Sequence, residues 1–258
     1  MANRPAASHA PNSTPLVLFG GTFDPVHRAH IACAKAVSAL FDSPVLLLPN
    51  AQPPHRPQPL SSSAQRLAML ALACEGDSAL IIDDWELRQT GPSYSVDTLR
   101  HFRAVCTGAS TGSSSDTNSA TRPLFLLIGA DSFANLHHWH QWQAFPELCH
   151  LIVAPRPGAP SAAEEVLAAF VESDIETLLN RPAGMRFMLD EPTLGISSSA
   201  IRADLRKKGQ SDAINRKVFD YIQREGLYNL PHQSNTDAVG TSNTDPVNTS
   251  PANTDEDS

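Results

Sequence analysis

Six short apolar runs, at 16–19, 45–48, 80–82, 124–128, 151–153 and 187–189, alternate with stretches whose apolar residues recur at helical spacing, at 27–41, 64–74, 96–105, 162–179, 199–208 and 218–225. Runs this short, apolar on consecutive residues, fit strands buried on both faces. The amphipathic stretches between them fit the helices that cover those faces. The alternation therefore constrains the chain to α/β, with a parallel sheet and helices on both sides. In such a sheet a ligand sits outside the carboxyl ends of the strands.

Three segments fall outside that pattern. Residues 1–14 are polar and Pro-rich, residues 107–122 are a Ser/Thr/Gly insert, and residues 231–258 repeat Asn-Thr-Asp at 235, 243 and 253. None has enough apolar surface to bury, so both ends are expected to be disordered tails and the insert a low-complexity loop. What remains is one domain over 15–230. The tail 231–258 holds five acidic residues and no Lys or Arg, so the net charge of -8 leaves only -3 on the rest. A chain without a broad basic surface is a poor nonspecific nucleic-acid binder, and no nucleic-acid partner is expected.

Cys33, Cys74, Cys106 and Cys149 form no Cys-x-x-Cys pair, which argues against a zinc site or disulfide framework and for the reducing cytoplasm. No apolar leader opens the sequence and no apolar run approaches about 18 residues, so neither secretion nor a membrane span is expected.

The first strand runs into "GGTFDPVHRAH", residues 20–30. Gly20 and Gly21 leave room for a ligand to approach the backbone. Asp24 before Pro25 reads as a helix start, with the carboxylate as cap. His27 and His30 then share one face of the first turns, while Ile31, Ala34, Val37 and Phe41 turn to the core. Free N–H groups, a positive helix end and two imidazoles suit a phosphate. A metal pair is the alternative, but no third ligand like the Glu of HExxH stands nearby. Neither GxxxxGK[ST] nor GxGxxG occurs.

A second anion site is legible in "GISSSAIRADLRKKG", residues 195–209, where Ser197, Ser198 and Ser199 open a helix and Arg202 follows. Hydroxyls, N–H groups and a guanidinium make a phosphate cradle, although simple N-capping explains the serines alone.

"GGTFDPVHRAH" and "ISSSAIR" together resemble the two signatures of the HxGH nucleotidyltransferase superfamily. The segments "LLPNAQPPHRPQP", "PSYSVDTL", "LIGADSF", "HHWHQW", "HLIVAPRPG" and "YIQREGLY", in this order, narrow the resemblance to bacterial nicotinate-nucleotide adenylyltransferase. The likeness spans nearly the whole domain, leaving out the insert and both tails. Ala29 stands where the family has the Gly of its motif, and His140 where it often has Tyr; Ser199 replaces a frequent Thr.

The resemblance implies a Rossmann-like sheet of the nucleotidyltransferase type, and transfer of an adenylyl group from ATP to nicotinate mononucleotide with release of pyrophosphate. It makes His27, His30 and Arg202 the catalytic residues. ATP would meet Gly20, Gly21, Thr22, Phe23, Gly129, Asp131, Ser198 and Ser199 in addition, with Asp131 on the ribose. Mg²⁺ would accompany ATP, with no protein metal site. The acceptor would meet Asn50, His55, Arg56, Ser93, Tyr94, Ser95, Trp139, His140 and Arg156. In physical terms, N–H groups at the helix start near Ser93–Ser95 suit the nicotinate carboxylate, Trp139 suits its ring, and His55 with Arg56 suits its phosphate.

Three other functions stay open. The chain could adenylylate nicotinamide mononucleotide or phosphopantetheine, or it could be an idle nucleotide-binding regulator. Chain length, Trp139 and the "PSYS" segment disfavour phosphopantetheine, and intact His27, His30 and Arg202 disfavour the regulator. The oligomeric state does not follow from the sequence.

Overall fold

Successive residues of a strand point to opposite faces, so a strand covered on both sides must be apolar at every position. The central strands are. Val17, Leu47, Phe125, Leu127 and Ile152 enter one core, while Leu16, Leu18, Leu48, Leu124, Leu126, Leu151 and Val153 enter a second. The computed structural model of the chain describes residues 14–51, 58–107, 122–190 and 195–231.

Among the described residues, β1 (Leu16–Gly21), β2 (Val45–Pro49), β3 (Leu80–Ile82), β4 (Leu124–Gly129), β5 (His150–Ala154), β6 (Val171–Glu172) and β7 (Met185–Met188) form one sheet. Its order is β3-β2-β1-β4-β5-β7-β6, and every pairing is parallel. The helices are α1 (Arg28–Phe41), α2 (Ser63–Cys74), α3 (Trp85–Arg88), α4 (Ser95–Cys106), α5 (Ala130–Ala134), α6 (Phe145–Leu148), α7 (Glu164–Ala169), α8 (Ile175–Leu179), α9 (Ser198–Lys208) and α10 (Arg216–Arg224). Ala34 and Val37 of α1, Met69 and Leu70 of α2, Ile201 of α9 and Ile222 of α10 fill the first core. Leu99 of α4, Phe133 of α5, Phe145 of α6 and Val166 of α7 fill the second.

The expected α/β sheet is therefore present, with one element misread. The helix expected over 162–179 is α7, β6 and α8 in succession. Phe170 turns wholly into the core, Val171 pairs with Met185, and the Asp174 carboxylate restarts a helix by accepting from Thr177 N–H at 2.8 Å. The cap and the edge pairing together outcompete one continuous helix.

The four cysteines are free thiols, and burial raises their pKa values, to about 11 for Cys33 and Cys74. No helix among the described residues is long and apolar enough to cross a membrane. Most of the expected insert and both expected tails lie outside the described residues, as do His55 and Arg56.

Candidate active site

The order of the sheet reverses at β1, which has β2 on one side and β4 on the other. The carboxyl ends of β1 and β4, at Gly21 and Gly129, thus border the crevice in which such sheets bind ligands. A Cβ built on Gly20 or Gly129 would meet nothing within 4 Å, so both leave open space. Gly21 is glycine for a different reason. A Cβ there would lie 2.9 Å from the Phe23 ring. That ring is buried, meeting Phe19 and His30 edge-on at 5.8 and 5.1 Å, so only the main chain of Phe23 can face a ligand.

Asp24 does not cap α1 as expected. It is 3% exposed, and its carboxylate accepts from Leu60 N–H at 2.8 Å and from the Tyr228 hydroxyl at 2.7 Å. Ser61 donates to the same Tyr228 oxygen at 2.8 Å. Burial, with the Asp24 carboxylate adding to it, pushes the Tyr228 phenol far above its ordinary pKa. Arg66, 1% exposed, donates to Thr22 C=O at 2.9 Å, to the Ser63 hydroxyl at 3.1 Å and to Ala51 C=O at 3.4 Å. It clamps the loops after β1 and β2 together. Burial lowers its pKa, while the Asp24 charge pushes the other way.

With Asp24 engaged elsewhere, His27 is the N-cap of α1. Its Nδ1 accepts from His30 N–H at 3.4 Å, and the Nδ1 of His30 accepts from His27 N–H at 3.3 Å. The rings stack with centroids 3.5 Å apart and planes 15° from parallel. Because each Nδ1 is an acceptor, each neutral ring carries its proton on Nε2 and offers an Nε2–H donor. Burial lowers the pKa of His27 to about 4, so that ring is neutral near pH 7. Thr22 Oγ1 and Asn50 Oδ1, beside this turn, are buried without a hydrogen-bond partner among the described residues.

The second signature docks on the first. Ser197 caps α9 by accepting from Ala200 N–H at 3.2 Å, while Ser198 donates to Pro25 C=O at 3.1 Å. Arg202 donates to Asp24 C=O at 2.7 Å and to the Ser199 hydroxyl at 3.2 Å. Two stretches more than 170 residues apart in the chain thus share one loop.

On the other flank, Asn50 N–H donates to Gly21 C=O at 3.0 Å and Ala51 N–H to the Ser93 hydroxyl at 2.9 Å. Tyr94 is the N-cap of α4 and provides no side-chain cap, which leaves the first N–H groups of that helix, from Ser95 on, without one. The Tyr94 ring lies 4.3 Å from that of exposed His140. Trp139 is half-buried, edge-on to Phe145 at 6.1 Å. Asp131 and Arg156, expected on different substrates, form an ion pair with each other. Sequence reasoning missed Ser61, Arg66, Glu86 and Tyr228. Arg66 left one signal, as it shares with Met69, Leu70 and Cys74 the spacing of the buried stripe of α2.

A parallel sheet with two phosphate-suited signatures on one loop at its switch point defines a nucleotidyltransferase of the Rossmann-like class. The Cytidylyltransferase-like family profile matches residues 18–204. A protein of Yersinia enterocolitica named "probable nicotinate-nucleotide adenylyltransferase" is 38% identical over 227 residues, covering 85% of this chain and 97% of its own. One of the same name from Idiomarina loihiensis is 35% identical, covering 82% and 98%. Nicotinic acid mononucleotide adenylyltransferase of Plasmodium falciparum, solved in complex with NaAD, has the same fold. Its TM-score is 0.63 at 17% identity, with 84% of this chain and 98% of that one covered. The chain belongs to the nicotinate-nucleotide adenylyltransferases of the cytidylyltransferase-like family.

Proposed function

We propose that the chain transfers the adenylyl group of ATP to nicotinate mononucleotide, giving nicotinate adenine dinucleotide and pyrophosphate. The observation that carries this reading is the docking of α9 on the loop before α1, with Ser198 on Pro25 C=O and Arg202 on Asp24 C=O, two and three residues before the stacked pair His27 and His30 begins. A phosphate oxygen of the mononucleotide attacks the α-phosphorus of ATP. The bond from that phosphorus to the bridging oxygen breaks, and pyrophosphate leaves with the electron pair. No covalent enzyme intermediate is needed, so catalysis is positioning and charge stabilisation.

In this reading His27 and His30 donate to the ATP phosphates, and Ser198, Ser199 and Arg202 hold the departing pyrophosphate. Gly20, Gly21, Thr22 and the main chain of Phe23 line the phosphate turn, and Gly129 gives the adenosine room. Asp131 takes the ribose hydroxyls once Arg156 turns from it to the acceptor. Asn50, Ser93, Tyr94, Ser95, Trp139 and His140 border the acceptor, with His55 and Arg56 as its phosphate ligands. Among the described residues no three His, Cys, Asp or Glu side chains gather as a metal cage. Mg²⁺ would ride with ATP, held by phosphate oxygens and water. Residues 15–230 form the catalytic unit, at work in the cytoplasm, where four free thiols are at home.

Pyrophosphate release from MgATP with each acceptor in turn tests the assignment. Release is expected with nicotinate mononucleotide and not with phosphopantetheine. No release with any acceptor would leave the idle nucleotide binder.

A further inference from the structure

Glu86 of α3 is a carboxylate only 7% exposed, with no ion pair among the described residues. Burial raises its pKa, against hydrogen bonds from Thr98 and Ser93 that favour the charged form. The Thr98 hydroxyl donates to Oε1 at 2.7 Å. The Ser93 hydroxyl lies close enough to favour the charged carboxylate, and its oxygen accepts the Ala51 N–H at 2.9 Å. From Ala51 the run continues through Arg66 to Thr22, and beside it from Asn50 to Gly21. Polar contacts therefore join the phosphate turn and the end of β2 to Ser93 at the start of α4, and Glu86 holds the same helix through Thr98. The stacking of Trp85 on His101, centroids 4.3 Å apart, lays α3 against α4.

Burying a carboxylate without a cation is costly, and a neutral residue of similar shape would fill the position more cheaply. Glu86 Oε1 accepts the Thr98 hydroxyl proton, and the Ser93 oxygen accepts the Ala51 N–H. Anion recognition at this corner passes to main-chain N–H groups of α4. We propose that Glu86 is the positioning residue of the acceptor site, which acts through Ser93 and Thr98 to hold the start of α4 against the end of β2. This rests on the acceptor reading given above.

The test measures KM for nicotinate mononucleotide and for MgATP separately, in the full chain and in Glu86→Ala, Glu86→Gln and Ser93→Ala. Glu86→Ala is expected to raise the acceptor KM about 10-fold or more, with kcat and the KM for MgATP within about twofold. Glu86→Gln keeps a carbonyl acceptor for Thr98 and should recover part of the loss. Joining Glu86→Ala to Ser93→Ala should add little to either alone, because both cut one connection. An unchanged acceptor KM in folded Glu86→Ala, or an equal rise in both KM values, would overturn the proposal. Should Glu86→Ala fail to fold, Thr98→Val, which removes the hydroxyl that Glu86 holds, decides by the same split. If the unaltered enzyme prefers another acceptor, the functional reading fails by itself, and Glu86 is judged on the KM of that acceptor.

Discussion

In the proposed reaction the two histidines act on phosphate as hydrogen-bond donors, held by each other's main chain, and His27 does so without a charge. Donors fixed where charge develops in the transition state cost no reorganisation when the reaction occurs. His30→Ala removes one of them and should lower turnover by about 10²- to 10⁴-fold with folding preserved. Steady-state rates beside a circular dichroism spectrum check this, and near wild-type turnover would remove the phosphate-site reading. Burial of His27 has a second consequence. Its folded pKa of about 4 lies below the ordinary 6.5 of a free imidazole, so the unfolded chain binds more protons between those values. Stability is then full above pH 6.5 and falls as the pH drops toward 4, by roughly 3 kcal/mol. His150, wholly buried and also lowered by burial, adds a loss of the same sign. Urea denaturation across this range should show the fall, and His27→Asn, which keeps an N-cap acceptor, should flatten it.

At the level of elements, the end of the described chain is tied to the loop between β1 and α1. The turn Leu227–Asn229 carries Tyr228 at φ 64°, and its hydroxyl joins Asp24 to Ser61. Tyr228→Phe would leave the buried Asp24 and Ser61 each short of a partner, at a cost of about 1–3 kcal/mol. Denaturant titration should register this, together with a higher KM for MgATP; an unchanged midpoint would mean that water replaces the phenol. The strands were legible because burial on both faces requires apolar residues at every position. Strand β6 was not, since two exposed edge residues, Val171 and Glu172, carry no pattern. The site divided in the same way. His27, His30, Ser198 and Arg202 stand in local motifs, whereas Asp24, Ser61, Arg66 and Tyr228 meet only through the fold. Asp24 even carried a misleading local signal, because Asp before Pro imitates a helix cap.

For the molecule as a whole, the buried residues of the two apolar cores among the described residues lie within 16–228, with Leu230 packed against the first. Pro231 still packs beside Gly209, so a cut belongs after it. Deleting 232–258, a stretch with almost nothing apolar to bury, should leave activity and Tm nearly unchanged. A Tm several degrees lower would mean that this segment docks on the domain.

The central claim is that this fold joins ATP to an acceptor recognised by its carboxylate at the start of α4. A carboxylate offers two anionic oxygens to main-chain N–H groups, whereas a carboxamide turns an NH₂ toward one of the same donors. A charge-assisted hydrogen bond is worth about 1.5–3 kcal/mol, so one or two give roughly 10- to 10³-fold discrimination. Competition between nicotinate and nicotinamide mononucleotides at fixed MgATP reads this ratio as kcat/KM. The account predicts a preference for the nicotinate form of at least 10-fold, by the same hydrogen-bond arithmetic. Equal efficiencies would contradict it and make the enzyme one of dual specificity.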